Sequence, residues 1–166
     1  MQVLSGTELA ALVDRLVASE LPGGRGLAAW LSLLRAHATL MRQLETQLEQ
    51  QTGLALADYD VLVQLAIAGG QLRMTELADR ALISRSGMTR RVARLSDEGL
   101  VRRSEATADG RGVVVALTDA GVARLAETIP AHARGIAEYF VSRLDDQELA
   151  VLETALDKVT VDCTFG

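Results

Sequence analysis

The apolar pattern changes period at Gly99, and few folds accommodate that change. Before it the apolar residues recur at helical spacing. After it, Leu100-Val101-Arg102-Arg103-Ser104 and Val113-Val114-Val115-Ala116-Leu117 read as strands. Between them lies Glu105-Ala106-Thr107-Ala108-Asp109-Gly110-Arg111-Gly112, a polar, glycine-bearing hairpin tip. On the upstream side, Ser84 caps a helix running to Glu98 with Gly99 as its stop, and Thr75 caps another through Ala81. Two helices joined by Leu82-Ile83 have helix-turn-helix geometry, and a two-stranded hairpin follows them directly.

Helices flank this middle segment. Thr7 to about Glu20 places Leu9, Leu12, Val13, Leu16 and Val17 on one face, and Leu21-Pro22-Gly23-Gly24-Arg25-Gly26 breaks it. A long helix is predicted from Leu27 to Gln51, with Leu27, Leu31, Leu34, Ala38, Met41 and Leu48 on one face. Trp30, Leu33, His37, Leu40 and Leu44 lie on the adjacent one. So broad an apolar surface exceeds what one small core needs, so part of it should meet another helix or subunit. A third helix covers Asp58 to Ala68, with Val61, Leu62, Leu65 and Ala66 inward and Gly69-Gly70 ending it, and Leu72-Arg73-Met74 is a stub of strand. Thr118-Asp119 caps a long helix through about Arg143 that Pro130 should kink or divide, and Asp145 or Asp146 opens a final helix ending near Val161. The fold class is mainly α with a small β wing.

Composition first argues against a nucleic-acid partner, because the formal net charge is −5. The charge is unevenly placed, however. Arg73 to Arg111 holds nine arginines against six acids, +3, whereas the rest holds eight basic and sixteen acidic residues, −8. No apolar run reaches the roughly 18 residues of a membrane span, and the N-terminus lacks a basic-then-apolar signal. The single cysteine, Cys163, excludes a disulfide framework, and two histidines make a metal site unlikely on composition. The expectation is a cytoplasmic, reduced protein with no membrane association, metal or cofactor.

On the helix from Ser84, Met88, Val92 and Leu95 form one stripe. Ser86, Thr89, Arg90, Ala93 and Asp97 point the other way, flanked by Arg85 and Arg94. Small and hydroxylated residues beside arginines let a helix enter a major groove, where Arg bonds guanine and Ser or Thr bonds base edges or phosphate. The competing reading, a plain solvated face, fits Ser86, Gly87 and Ala93 poorly. Arg111 at the hairpin tip is placed to enter a minor groove, with Asp109 orienting it by a salt bridge; in isolation a plain hairpin with one turn arginine fits equally well. The candidate DNA contacts are therefore Ser84, Arg85, Ser86, Thr89, Arg90, Arg94, Asp109 and Arg111.

These segments resemble the MarR family of bacterial winged helix-turn-helix regulators. The likeness lies in Met74-Thr75-Glu76-Leu77-Ala78, Ser84-Arg85-Ser86-Gly87-Met88-Thr89-Arg90, Arg94-Leu95, Glu98-Gly99-Leu100-Val101 and the wing from Asp109 to Thr118. The resemblance implies a homodimer with interlocking N- and C-terminal helices that reads a pseudo-palindrome in double-stranded DNA, usually as a repressor released by a small ligand. The domains would be an extra N-terminal helix at 1–22, dimerisation helices at 27–52 and 119–162, and the DNA-binding domain at 55–118. There is also likeness to the urate-responsive branch, in the extra helix, Asp60, Arg91, Arg103 and Pro130-Ala131-His132. The branch's tryptophan late in the extra helix is absent, that region reading Val17-Ala18-Ser19-Glu20. A small aromatic acid or purine effector is thus implied, with Asp60, Arg91, Arg103, Trp30 and His37 as its candidate residues. An internal Asp60–Arg91 salt bridge without a ligand explains the same two residues. Trp30 and Tyr139 are expected in the core or the dimer interface, and Cys163, beside Asp162, is expected to be a bystander. A winged-helix protein-interaction module that has lost DNA binding is the alternative function. An enzyme is disfavoured, since no nucleophile–base pair or phosphate loop is present.

Overall fold

A computed structural model of the chain describes residues 5–81, 84–105 and 112–160. It divides into two compact units, Met1–Arg42 and Gln43–Gly166. The first contains α1 (Gly6–Glu20), a 3-10 turn at Pro22–Gly24 and the beginning of α2 (Leu27–Thr52). Ser5 starts α1 by a reciprocal cap: its hydroxyl accepts the Glu8 N–H at 3.3 Å, and the Glu8 carboxylate accepts the Ser5 N–H at 2.8 Å. Gly23 and Gly24, both at positive φ, supply the predicted break after α1. Leu9, Val13, Leu16 and Val17 of α1 are exposed, as are Trp30, Leu31, Leu34 and Met41 of α2.

The second unit continues from α2 into α3 (Leu56–Ile67), β1 (Gln71–Arg73), α4 (Met74–Arg80), α5 (Arg85–Asp97), β2 (Val101–Glu105), β3 (Val113–Leu117), α6 (Asp119–Tyr139) and α7 (Asp146–Thr160). The sheet is antiparallel in the order β1-β3-β2, with Leu72 and Arg103 both opposite Val115. The wing is therefore backed by a third strand, where the sequence pattern gave two strands and a stub. Val61, Leu62 and Leu65 of α3, Leu77 of α4, Met88, Val92 and Leu95 of α5 and Val115 of β3 are fully buried together. Each such side chain contributes about 1.5–3 kcal/mol over its exposed state. Ala66 is exposed instead of inward, because it sits at the edge of the buried arc beside the exposed Ile67 near the helix end.

Helix ends follow local chemistry. Thr75 is not the cap of α4: the Glu76 carboxylate reaches back to the Arg73 N–H at 3.1 Å, so the helix begins one residue before Thr75. Thr118 is the cap expected for α6. Its hydroxyl accepts the Gly121 N–H at 3.0 Å and donates to the Gly99 carbonyl at 2.7 Å, tying the end of α5 to the start of α6. Pro130 does not divide α6, which is continuous to Tyr139. Proline removes one N–H from the ladder, and the buried Thr128 and Ala131 on either side anchor the helix there. The helix stops short of Arg143 because Phe140 leaves helical geometry and a 3-10 turn, Val141–Arg143, takes over.

Two glycines of α6 allow close approach. A Cβ on Gly121 would lie 2.1 Å from the Leu100 carbonyl oxygen, a backbone atom. One on Gly135 would meet Gln47 Oε1 at 2.0 Å, the end of a flexible side chain. Gly121→Ala should therefore destabilise by about 1–3 kcal/mol through overpacking. That corresponds to a fall in Tm of roughly 2–12 °C for a chain of this size. Gly135→Ala should cost less. Thermal unfolding of the two variants, followed by circular dichroism, checks the order; the reverse order would contradict this account of the α6 packing.

Candidate nucleic-acid interface

The interface is built on α5. Ser84 caps it, its hydroxyl accepting the Gly87 N–H at 3.2 Å, and Met88, Val92 and Leu95 fix its rotation by burying one stripe. That rotation leaves Arg85, Ser86, Thr89, Arg90 and Asp97 exposed; Ala93 is half-buried at the margin rather than fully outward. The Thr89 hydroxyl donates to the Arg85 carbonyl at 2.9 Å, which leaves its lone pairs turned outward as acceptors. Arg85 and Arg90 form no ion pair with any described acid. Gly87, Arg90, Arg91 and Arg94 line a hollow of about 230 Å³, so the surface beside α5 is strongly cationic.

Arg94 and Arg91 are differently placed. Both bond one carboxylate, that of Asp58 on α3: Arg91 Nη1 to Oδ1 at 2.7 Å, and Arg94 Nη2 to Oδ2. The Asp58 side chain is 5% exposed, that of Arg91 25% and that of Arg94 53%. This corrects the expected Asp60–Arg91 pair. Residues two apart on a helix point about 200° apart. Asp58, in line with Leu62 and Leu65, therefore faces α5 from the core side, while Asp60 shares its face with Gln64, whose Nε2 lies 3.5 Å away. Sequence reasoning missed Asp58, although its i, i+4, i+7 alignment with two buried leucines was a usable signal. It also qualifies Arg94 as a DNA contact, since one face of its guanidinium is already engaged.

The remaining effector candidates are divided between the two units. Arg103 is exposed on β2, and Asp60 is half-buried on α3. Trp30, 56% exposed, and His37, also exposed, belong to the other unit. Tyr139, assigned with Trp30 to the core or the dimer interface, is half-buried. Asp109, Arg111 and Cys163 lie outside the described residues.

A ring pair, of which sequence reasoning named only His132 within the Pro130-Ala131-His132 run, sits between α3 and α6. The rings of Tyr59 and His132 stack with centroids 4.6 Å apart, tilted by 49°, and His132 Nδ1 is buried without a hydrogen-bond partner among the described residues. Burial lowers the His132 pKa from its ordinary 6.5, and the Asp60 charge opposes the shift. Burial, helped by Asp60, raises that of the Tyr59 hydroxyl. A histidine with a lowered folded pKa binds fewer protons than the unfolded chain in mild acid. Its contribution to stability is therefore full above about 6.5 and is lost as the pH falls from there through the lowered folded value. Between about pH 7.5 and 5.5 the Tm of His132→Phe should fall less than that of the native protein. Equal falls in both would remove His132 from the acid response.

A helix-turn-helix whose second helix buries one face and presents arginines and hydroxyls on the other, backed by a three-stranded antiparallel sheet, defines a winged-helix DNA-binding regulator. Comparison with known proteins narrows the class. A family model described as MarR family matches residues 52–112. An HTH-type transcriptional regulator of Mycobacterium leprae is 33% identical over 136 residues, covering 80% of this chain and 90% of the relative. AbsC, a MarR family transcriptional regulator from Streptomyces coelicolor, superposes with a TM-score of 0.73 at 27% identity over 96% of each chain. A second MarR family regulator from that organism, solved in complex with DNA, gives 0.74 at 30% identity, covering 96% of this chain and 90% of the other. The chain belongs to the MarR family of transcriptional regulators. No helix among the described residues is long and apolar enough to cross a membrane.

Proposed function

We propose that the protein is a cytoplasmic homodimeric repressor. It binds a pseudo-palindromic operator with α5 of each protomer in a major groove and each wing in the adjacent minor groove. The observation that carries the DNA reading is the face of α5: Ser86, Thr89 and Arg90 stand exposed directly opposite the buried Met88, Val92 and Leu95. Asp97 is the single acid of that helix, so the surface suits DNA better than the acidic or bulky face a protein-interaction module would need. The relative solved on DNA has the same fold. A two-fold dimer places its half-sites about 10 bp apart, or a multiple of that.

The release of DNA by a small aromatic acid or purine is the second part of the proposal, supported by the likeness to the urate-responsive branch. An electrophoretic shift on the protein's own promoter tests the first part, with binding that weakens steeply as salt rises. No shift at any salt concentration would refute it. A thermal-shift screen of aromatic acids and purines tests the second, and a true effector at a hundred-fold excess over its Kd stabilises by about 2.7 kcal/mol. A hit must also release the DNA, or the ligand part fails.

A further inference from the structure

The four arginines of α5 carry the same charge, yet one buried acid sorts them into two kinds. Arg91 and Arg94, three residues apart and so on one flank of the helix, share the Asp58 carboxylate. Arg85 and Arg90 are exposed and pair with no described acid. We propose that Asp58 limits the sequence-independent part of DNA binding, by holding Arg91 and Arg94 on the protein so that α5 offers Arg85 and Arg90 as its free cations.

The argument begins with the charge. Two guanidiniums on one carboxylate carry a single net positive charge, so Asp58 removes one charge per protomer from what the helix offers to phosphates. Phosphate contacts position a protein without reading sequence, and base contacts supply the reading. A flexible guanidinium released beside α5 would find a phosphate on any duplex, at whatever register the protein lands. On the correct operator the register is already fixed by base contacts, and α5 would have lost one of the contacts that tie it to α3. Freeing the cluster therefore favours wrong DNA over right DNA. Asp58 touches no base in this reading; it is a positioning residue that acts through two arginines on another helix.

The inference rests on the DNA reading proposed above, and its test keeps the two separable. Binding is measured over a range of salt concentrations on two duplexes: a site selected by the protein from a random pool, and a scrambled sequence of equal length. Asp58→Asn keeps the shape and removes the charge. On the scrambled duplex the salt slope should steepen by about 0.9 per protomer, and the affinity at 0.1 M salt should rise about eight-fold for each freed charge that meets a phosphate. The selected duplex should gain less, so the ratio of the two affinities falls. Adding Arg94→Gln to Asp58→Asn should return the slope to its native value. An unchanged slope with both affinities lowered equally would make Asp58 a plain structural brace and overturn the proposal. Should Asp58→Asn fail to fold, Asp58→Ser is read in the same way, and a slope no steeper than the native one overturns the proposal. Failure of the native protein to bind either duplex would instead refute the DNA reading itself.

Discussion

Arg90→Ala is expected to abolish operator recognition while leaving the fold and the dimer intact. Arg90 is exposed and unpaired with any described acid, and it lies about 160–200° around α5 from Met88 and Val92. It therefore points away from the core that holds the helix in place. Surface substitutions of this kind change stability by no more than about 0.5 kcal/mol. A guanidinium at this position is suited to a bidentate contact with guanine, worth about 1–3 kcal/mol of discrimination. A two-fold complex makes the contact twice, so the loss is about 2–6 kcal/mol, or roughly 30-fold to 10⁴-fold in affinity for the operator. Binding to scrambled DNA should fall much less, because phosphates are met by other cations. Fluorescence anisotropy on both duplexes, with circular dichroism as a control for folding, measures the difference. Unchanged operator affinity would mean that this face of α5 does not read the base pairs.

How much of this was legible depends on how local each cause is. The buried stripe of α5 and the caps at Ser84 and Thr118 could be read directly, because helical periodicity and a hydroxyl accepting a nearby N–H involve neighbours in the chain. The third strand could not be. Gln71-Leu72-Arg73 is too short to declare itself, and it becomes a strand only because β3, far along the chain, offers it a pairing edge. Thr75 was passed over as a cap because the carboxylate of Glu76 competes for the same turn.

The arginine partner shows the same limit more sharply. An acid in the first turn of a helix ordinarily serves the helix dipole, and Asp58 occupies such a place. Asp60 drew the assignment through its apolar neighbours and through resemblance, yet only the packing of α3 against α5 reveals which carboxylate faces the arginines. Total charge misled in a similar way. The net −5 describes the whole chain, whereas the DNA contacts proposed for it lie within the +3 segment that contains α5.

Ile129→Lys is expected to convert the protein to a monomer that keeps its helices and loses operator binding. Val122, Ile129 and Ile136 recur every seven residues along α6 and are 54%, 46% and 37% exposed. They form a single apolar stripe on the face of α6 that adjoins the one packed into the domain through Leu125, Thr128 and Ala131. Val151 and Val159 of α7 are exposed as well. A second copy of the chain is the partner that the homodimer proposal assigns to this stripe. In a two-fold interface each substitution acts twice. Burying an isoleucine contributes about 1.5–3 kcal/mol, so losing two raises the dimer dissociation constant by roughly 10²-fold to 10⁴-fold before the cost of burying a lysine charge is counted. A monomer reaches one half-site only, and with the second half-site it loses the effective concentration that linked binding supplies. Sedimentation velocity at micromolar protein should then show a single species of one-chain mass with a native helical spectrum, and the gel shift on the operator should disappear. A dimer that persists unchanged would place the interface away from this face of α6, whatever becomes of DNA binding.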